Sequence, residues 1–333
     1  MGSASGDRSG ASSGDSAEAE TIRIGTSSCL LGYEVRFDGG HKRDRFMTDQ
    51  IGPFVEWVPV CPEAESGMSI PRPTLRLVTS DTGPRLVETR SGVDHTRSMK
   101  AYTTRRLRQL KKLDLCGYIL KKGSPSCGMA RVKVYSSEGM PTAGGSGLFA
   151  SGLLEAFPDL PVEEEGRLHD SKLRENFIER VFAYRRLQTL FASRWTAGSI
   201  IAFHSTHKLQ LMAHSNSAYR ELGRLVAEVK KTPRKDFKRD YSAGFTRALR
   251  QMATPGRNAN ALQHAAGHLK KLVDSGSRVE LAEVIHEYRT GLIPLVVPIT
   301  LLRHHVRGNG LDYLADQTYL APHPKELMLR NHV

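Results

Sequence analysis

Near Asp170 the spacing of apolar side chains along this chain changes its period, so no single architecture suits both parts. From Thr21 to about Pro161 the apolar residues come in short runs: TIRIG, VEWVPV, TLRLV, PRLVETR, LDLCGYIL and RVKVY. Runs of that length, rich in Val, Ile and Leu and bounded by turn signals, predict buried strands. Among them, residues 94–112 (DHTRSMKAYTTRRLRQLKK) predict a helix whose basic end suits the helix dipole. Strand, connection, helix and strand predict an α/β domain over residues 21–170 with an open, mainly parallel sheet. Such sheets bind ligands at the loops leaving the carboxyl ends of their strands.

Beyond Asp170 the apolar residues recur three and four apart in LRENFIERVFAYRRLQTLF, IIAFHSTHKLQLMA, AYRELGRLVAEVKK, FTRALRQMA, ALQHAAGHLKKLV and VELAEVIHEYRTGLIPLVVPITLLRHHV. These predict six or seven helices over residues 171–333, with breaks at TPGRN (254–258) and DSGS (274–277). Residues 1–20 carry almost no apolar side chains and are expected to be a disordered tail.

No apolar run approaches the roughly 18 residues that span a bilayer, and the start has no signal-peptide core, so no membrane association is expected. Four cysteines, at 29, 61, 116 and 127, are too few and scattered for a disulfide scaffold. Reduced thiols and a cytoplasmic location are expected. The formal charge of +13 sits almost wholly in the helical half, where 26 basic residues face 13 acidic ones.

Three cysteines share a setting. Cys29 follows the first strand in GTSSCLLG, Cys61 ends VEWVPV, and Cys127 lies in KKGSPSCG after LDLCGYIL. In a parallel sheet all three emerge at one edge. Cys116 lies within an apolar run and is expected to be a buried small hydrophobe. Three convergent thiolates suit an iron–sulfur cluster, and zinc with an open position or three unrelated thiols are the alternatives that spacing leaves standing.

The ordered segments CLLGYEVRFDGG (29–40), VPVCPEAESGMSIPRP (58–73) and KKGSPSCG (121–128) resemble the TudS-type thiouracil desulfidase family over roughly residues 21–165. The later segments RW (194–195), FHSTHKLQLMAHS (203–215) and YRELG (219–223) resemble the YbgA-like domain, and the pairing of the two is similar to RudS-type tRNA 4-thiouridine desulfidases. The resemblance implies a 4Fe-4S cluster held by Cys29, Cys61 and Cys127 with one iron open to the substrate's sulfur. It implies tRNA as partner, and residues 171–333 as the domain that binds it.

A soft thiocarbonyl sulfur on such an iron leaves its carbon open to water, which needs a base. Glu63, two residues after Cys61, is the expected general base, with an ion pair to Arg72 as its alternative role. Ser124 and Ser126 flank Pro125 beside Cys127, and either hydroxyl can assist the leaving sulfur or merely cap the local chain. Arg36, Lys121 and Lys122, with Asp38, Lys42 and Arg43 close by, are expected to place positive charge at the mouth for a phosphate-bearing substrate.

Residues 229–250 hold eight Lys or Arg against two Asp. Lys230, Lys231, Arg234, Lys235, Lys238 and Arg239 are expected to contact RNA backbone, with Phe237 and Tyr241 available for stacking on bases. His207 and Lys208 are also assigned to RNA contact. The pairs His204 with His207 and His264 with His268 have helical spacing but no third ligand for a metal. The leading expectation is a hydrolytic, non-redox tRNA thiouridine desulfidase, acting on RNA rather than DNA. The alternatives are an iron–sulfur nucleic-acid-binding regulator, favoured by four-cysteine ligation, and a desulfidase of free thiouracil.

Overall fold

The computed structural model describes residues 21–136 and 138–332, so the tail expected over residues 1–20 lies outside the described residues. All six apolar runs of the first half form strands: β1 (Arg23–Ser27), β2 (Glu56–Val60), β3 (Leu75–Val78), β4 (Arg85–Glu88), β5 (Gly117–Leu120) and β6 (Val132–Tyr135). β7 (Pro141–Gly145) and β8 (Val162–Glu164) join them. The short helix α1 (Pro62–Glu65) follows β2, and α2 (Thr96–Leu110) occupies the segment where the sequence predicts a helix. α3 (Leu148–Ala156) packs on α2, burying Met99, Tyr102 and Leu107 against Phe149 and Leu153.

The strands divide between two sheets rather than one. The first is wholly parallel, in the order β2-β1-β5-β8, with Arg23 opposite Glu56 and Ile24 opposite Gly117. The second, β4-β3-β6-β7, is mixed, because β3–β4 and β6–β7 pair antiparallel while β3–β6 run parallel. An apolar run reports that a strand is buried, not which neighbour it bonds to, so TLRLV and RVKVY gave no sign of a separate sheet.

Asp170 caps α4 (Ser171–Ala192), its Oδ1 accepting the amides of Lys172 and Leu173 at 3.0 and 2.9 Å. This long helix serves two cores. Phe177, Ile178 and Val181 pack with Ile24 and Ile119 of the parallel sheet, while Ala183, Leu187 and Phe191 belong to the core of the helical half. The contact is so close that a Cβ on Gly117 would stand 2.7 Å from Val181 Cγ2. Each such fully buried side chain contributes about 1.5–3 kcal/mol.

The helical half continues with α5 (Ala197–Thr206), α6 (Lys208–His214), α7 (Asn216–Ala227), α8 (Arg234–Arg250), α9 (Pro255–Leu269), α10 (Ser275–Thr290), α11 (Val296–Gly308) and α12 (Asp312–Ala315). IIAFHSTHKLQLMA splits at His207, and the last long segment splits where Gly291, at φ +82°, ends α10. The TPGRN and DSGS breaks are helix starts, since Thr254 and Asp274 accept the amides of Arg257 and Ser277 as N-caps. Among the described residues no helix is long and apolar enough to cross a membrane.

Candidate active site

β1, β2 and β5 lie side by side and parallel, so their carboxyl ends share one edge. The loop leaving each carries one cysteine. Cys29 sits in a single helical turn, Cys61 is the residue before α1, and Cys127 lies in the turn after β5. All three line one cavity of about 420 Å³, together with Glu63, Arg72 and Ser124. Cys116 sits at the opposite end of β5, fully buried, with Sγ 3.6 Å from both Asp114 O and Gln188 Oε1.

Burial dominates the thiol electrostatics. It pushes Cys29 up to about 11, with the nearby Cys61 adding to the shift while Lys121 and Arg36 oppose it. Burial likewise raises Cys61, and it raises Cys127 further, helped by the charge of Glu63. Three thiols around one cavity, Cys127 buried and Cys29 and Cys61 half-buried, are unfavourable as bare thiolates, and a positively charged inorganic centre reverses that balance.

No three His, Cys, Asp or Glu side chains among the described residues meet closely enough to ligate one ion. A polynuclear centre asks for something else: soft donors around a common space, each reaching a different metal atom. Three sulfurs lining one cavity fit that requirement.

Glu63 occupies the first turn of α1 and lines the cavity. Its Oε2 accepts Arg72 Nε at 2.9 Å and Nη2 at 2.6 Å, and Arg72 is almost wholly buried, with 4% of its side chain exposed. Arg72 Nη2 also donates to Val35 O at 3.0 Å, and its amide donates to Phe37 O at 2.9 Å. The guanidinium thus ties the Cys29 loop to the carboxylate. Both roles weighed for Glu63 coexist, because one oxygen pairs with Arg72 and Oε1 is left to Ser124 Oγ at 3.5 Å.

The two serines separate. Ser124 lines the cavity, donates to Glu63, and accepts the amides of Ser126 and Cys127 at 3.2 and 3.1 Å. Ser126 is fully buried and does not line the cavity; its hydroxyl has no hydrogen-bond partner among the described residues. Both serines are close to Cys127 in sequence, and only Ser124 lines the cavity.

Three supports went unread in the sequence. Ser27 accepts the Lys121 amide at 3.0 Å and hydrogen-bonds the Cys127 thiol. Glu164 and Glu165, buried at the end of β8, grip the loop that carries Cys127 from both sides. Glu165 accepts the Lys122 amide at 2.6 Å and pairs with the Lys121 ammonium, while Glu164 accepts the Met129 amide at 2.9 Å. The signal was the acidic triplet in PVEEEG, since charges in a buried strand require dedicated partners.

Arg36, Lys42, Lys121 and Lys122 line the cavity, Arg36 pairing with Asp38 at 3.1 Å. In the helical half Lys230, Lys231, Lys235, Lys238 and Arg239 are exposed on or before α8. Arg239 is held by Asp236 and Asp240 at 2.9 and 2.7 Å, and Lys231 pairs with Glu228 at 3.0 Å. Arg234 lies 3.8 Å over the Trp195 ring and donates to Trp195 O, so its cation also braces the fold.

Two expectations are corrected. Phe237 and Tyr241 offer no face to a base, because with Phe245 they recur every four residues on the inward side of α8, all fully buried. His207 is 2% exposed and stacks on Phe203 at 4.0 Å, so it presents almost no surface to RNA. Its Nδ1–H donates to Phe203 O at 2.7 Å, leaving Nε2 to accept Arg186 Nε at 3.2 Å. Burial and Arg186 push it down to about 3.

Comparison with known proteins finds a separate match for each half of the chain. The family model described as 2-thiouracil desulfurase matches residues 24–165, and the family model described as protein of unknown function (DUF1722) matches residues 208–324. The uncharacterized protein YbgA of Escherichia coli (strain K12) is 31% identical over 47% of this chain and 94% of its own length. The uncharacterized protein YbbK of Bacillus subtilis (strain 168) is 30% identical over 43% of this chain and 96% of its own. A solved structure titled [4Fe-4S]-dependent thiouracil desulfidase TudS is 30% identical, with TM-score 0.37, over 45% of this chain and 94% of that one.

Proposed function

We propose, because this chain belongs to the 2-thiouracil desulfurase family through its N-terminal half and to the YbgA-like DUF1722 family through its C-terminal half, that it removes sulfur from a thiolated uridine, 4-thiouridine, in tRNA. The observation that carries the reading is one cavity lined by Cys29, Cys61, Cys127, Glu63 and Ser124. Cys29, Cys61 and Cys127 would hold a 4Fe-4S cluster, three ligands for four irons. Such a cluster supplies a soft Lewis acid for the sulfur of a thiocarbonyl.

The chain's own residues do the rest. Glu63 Oε1 takes a proton from water attacking the carbon that bears sulfur, while Arg72 holds Oε2 and fixes the carboxylate's orientation. Ser124, held by the Cys127 loop, donates its one hydroxyl proton to Glu63 at rest and turns it to the departing sulfur or a ring nitrogen once Oε1 has taken the proton from water. Sulfur leaves as sulfide and oxygen from water replaces it, with no net electron transfer. Arg36, Lys42, Lys121 and Lys122 receive the phosphates next to the target base.

Two features favour RNA over the free base: the cations at the mouth, and the 26 basic against 13 acidic residues of the helical half. Cys116, apart from the cavity, gives the four-cysteine regulator no support. The test is anaerobic reconstitution with iron and sulfide, then incubation with thiolated tRNA and, separately, 2-thiouracil. Sulfide release with loss of the thiolated base's near-ultraviolet absorbance is expected, faster for tRNA. Intact 4-thiouridine beside fully loaded protein rejects the reading, and turnover of 2-thiouracil alone restricts it to the free base.

A further inference from the structure

The segments FHSTHK and YRELG and the pair His264/His268 have no part in the chemistry above, yet the fold gathers them. The His204 ring lies parallel to Tyr219, with centroids 5.7 Å apart and planes 5° apart. His264 and His268 stand 5.6 Å apart, and His268 lies 5.2 Å from Tyr313. Lys208 is close enough to depress both His204 and His264, and Tyr219 is close enough to act on Tyr313. Five helices, α5, α6, α7, α9 and α12, thus contribute to one cluster in which Lys208 lies near two of the rings, and no ion pair among the described residues engages its ammonium. His268 and Tyr313 are exposed.

Two details show ring nitrogens that the fold leaves uncommitted. The fully buried Tyr241 hydroxyl lies 3.2 Å from His204 Nδ1; donating there puts the imidazole proton on Nε2. That nitrogen faces Gly223, where a Cβ would lie 3.7 Å away, so at that position of α7 no side chain stands against it. His264 Nδ1 is buried with no hydrogen-bond partner among the described residues.

We propose that this cluster binds an unpaired nucleotide of the RNA substrate, its phosphate on the Lys208 ammonium and His204 Nε2–H and its base on the His268 and Tyr313 rings. The proposal rests on the reading that the substrate is RNA, and it moves stacking from the buried Phe237 and Tyr241 to rings that reach the surface. Burial and Lys208 push His204 down to about 4, so at neutral pH that ring acts as a neutral donor and the charge comes from lysine.

The experiment is fluorescence anisotropy of the full chain with labelled unmodified tRNA across a salt series, and with uridine 5′-monophosphate as competitor. Lys208→Gln is expected to weaken tRNA binding about ten-fold and to lower the salt slope by about one phosphate contact. The double variant His268→Ala/Tyr313→Ala is expected to weaken it about ten-fold with the slope unchanged. Lys208→Arg and Tyr313→Phe should restore binding, which separates recognition from misfolding. Parental tRNA affinity in both weakened variants overturns the site alone. Failure of the parent to bind tRNA overturns the RNA reading and the site with it. Direct binding of labelled uridine 5′-monophosphate by a parent that ignores tRNA makes the ligand a free nucleotide and overturns the RNA assignment.

Discussion

His207 is built to stay neutral, and acid should therefore loosen the helical half by a calculable amount. Its Nδ1–H is committed to Phe203 O, and a second proton has only Nε2 to occupy, where it would face the Arg186 guanidinium 3.2 Å away. The folded state holds the ring at about 3 against 6.5 when unfolded. Above 6.5 both states are neutral and stability does not depend on this group. As pH falls below 6.5 the unfolded chain takes a proton that the folded chain refuses, and stability drops until pH reaches about 3. The slope for one proton is about 1.4 kcal/mol per pH unit, so roughly 2 kcal/mol is lost between about pH 6 and about pH 4.5. His207→Asn keeps a donor toward Phe203 O and does not titrate. Urea melts followed by far-ultraviolet circular dichroism should show the parent losing stability faster than the variant by that difference. Carboxylates titrate alike in both proteins and cancel. Parallel losses would refute the argument, because they would mean that His207 gains its proton as easily folded as unfolded.

Glu63→Gln should keep iron and labile sulfide but lower the desulfuration rate by about 10² to 10⁴, the usual worth of a general base; an unchanged rate assigns proton removal elsewhere. Ser124→Ala removes the acceptor for two loop amides and should cost roughly ten- to a hundred-fold in activity, whereas Ser126→Ala should leave the rate near the parent's. Glu164→Gln and Glu165→Gln should release iron to a chelator roughly 10- to 100-fold faster, timed by loss of cluster absorbance, and parental release rates would show that their grip on the loop is immaterial. Gly117→Ala places a methyl 2.7 Å from Val181 and should destabilise by about 1–3 kcal/mol in thermal melts; an unshifted melt would mean that α4 yields freely.

The parts legible in the sequence are those that depend on local pattern. Six apolar runs became strands, and a parallel β1, β2 and β5 was enough to bring Cys29, Cys61 and Cys127 to one cavity. β7, whose PTAGG carries little apolar content, and the three-residue β8 gave too weak a signal, and with them went the second sheet and the Glu164–Glu165 grip. Such carboxylates are intelligible only once the amides they accept, more than 30 residues away in the chain, are in place. Phe237, Tyr241 and Phe245 fail differently. Their four-residue spacing marks an inward helix face, and the surrounding Lys and Arg drew attention to charge instead of period.

Gly117 opens the strand that leads straight to the Cys127 loop, and α4 rides on it with no room for a side chain between them. A pivot needs a gap or a slack connection, and this seam offers neither. The helices and the cysteine pocket are therefore held at one set separation, so that, if the substrate is the RNA proposed, the span from its point of grip to the pocket works as a caliper that admits only a base at the matching distance.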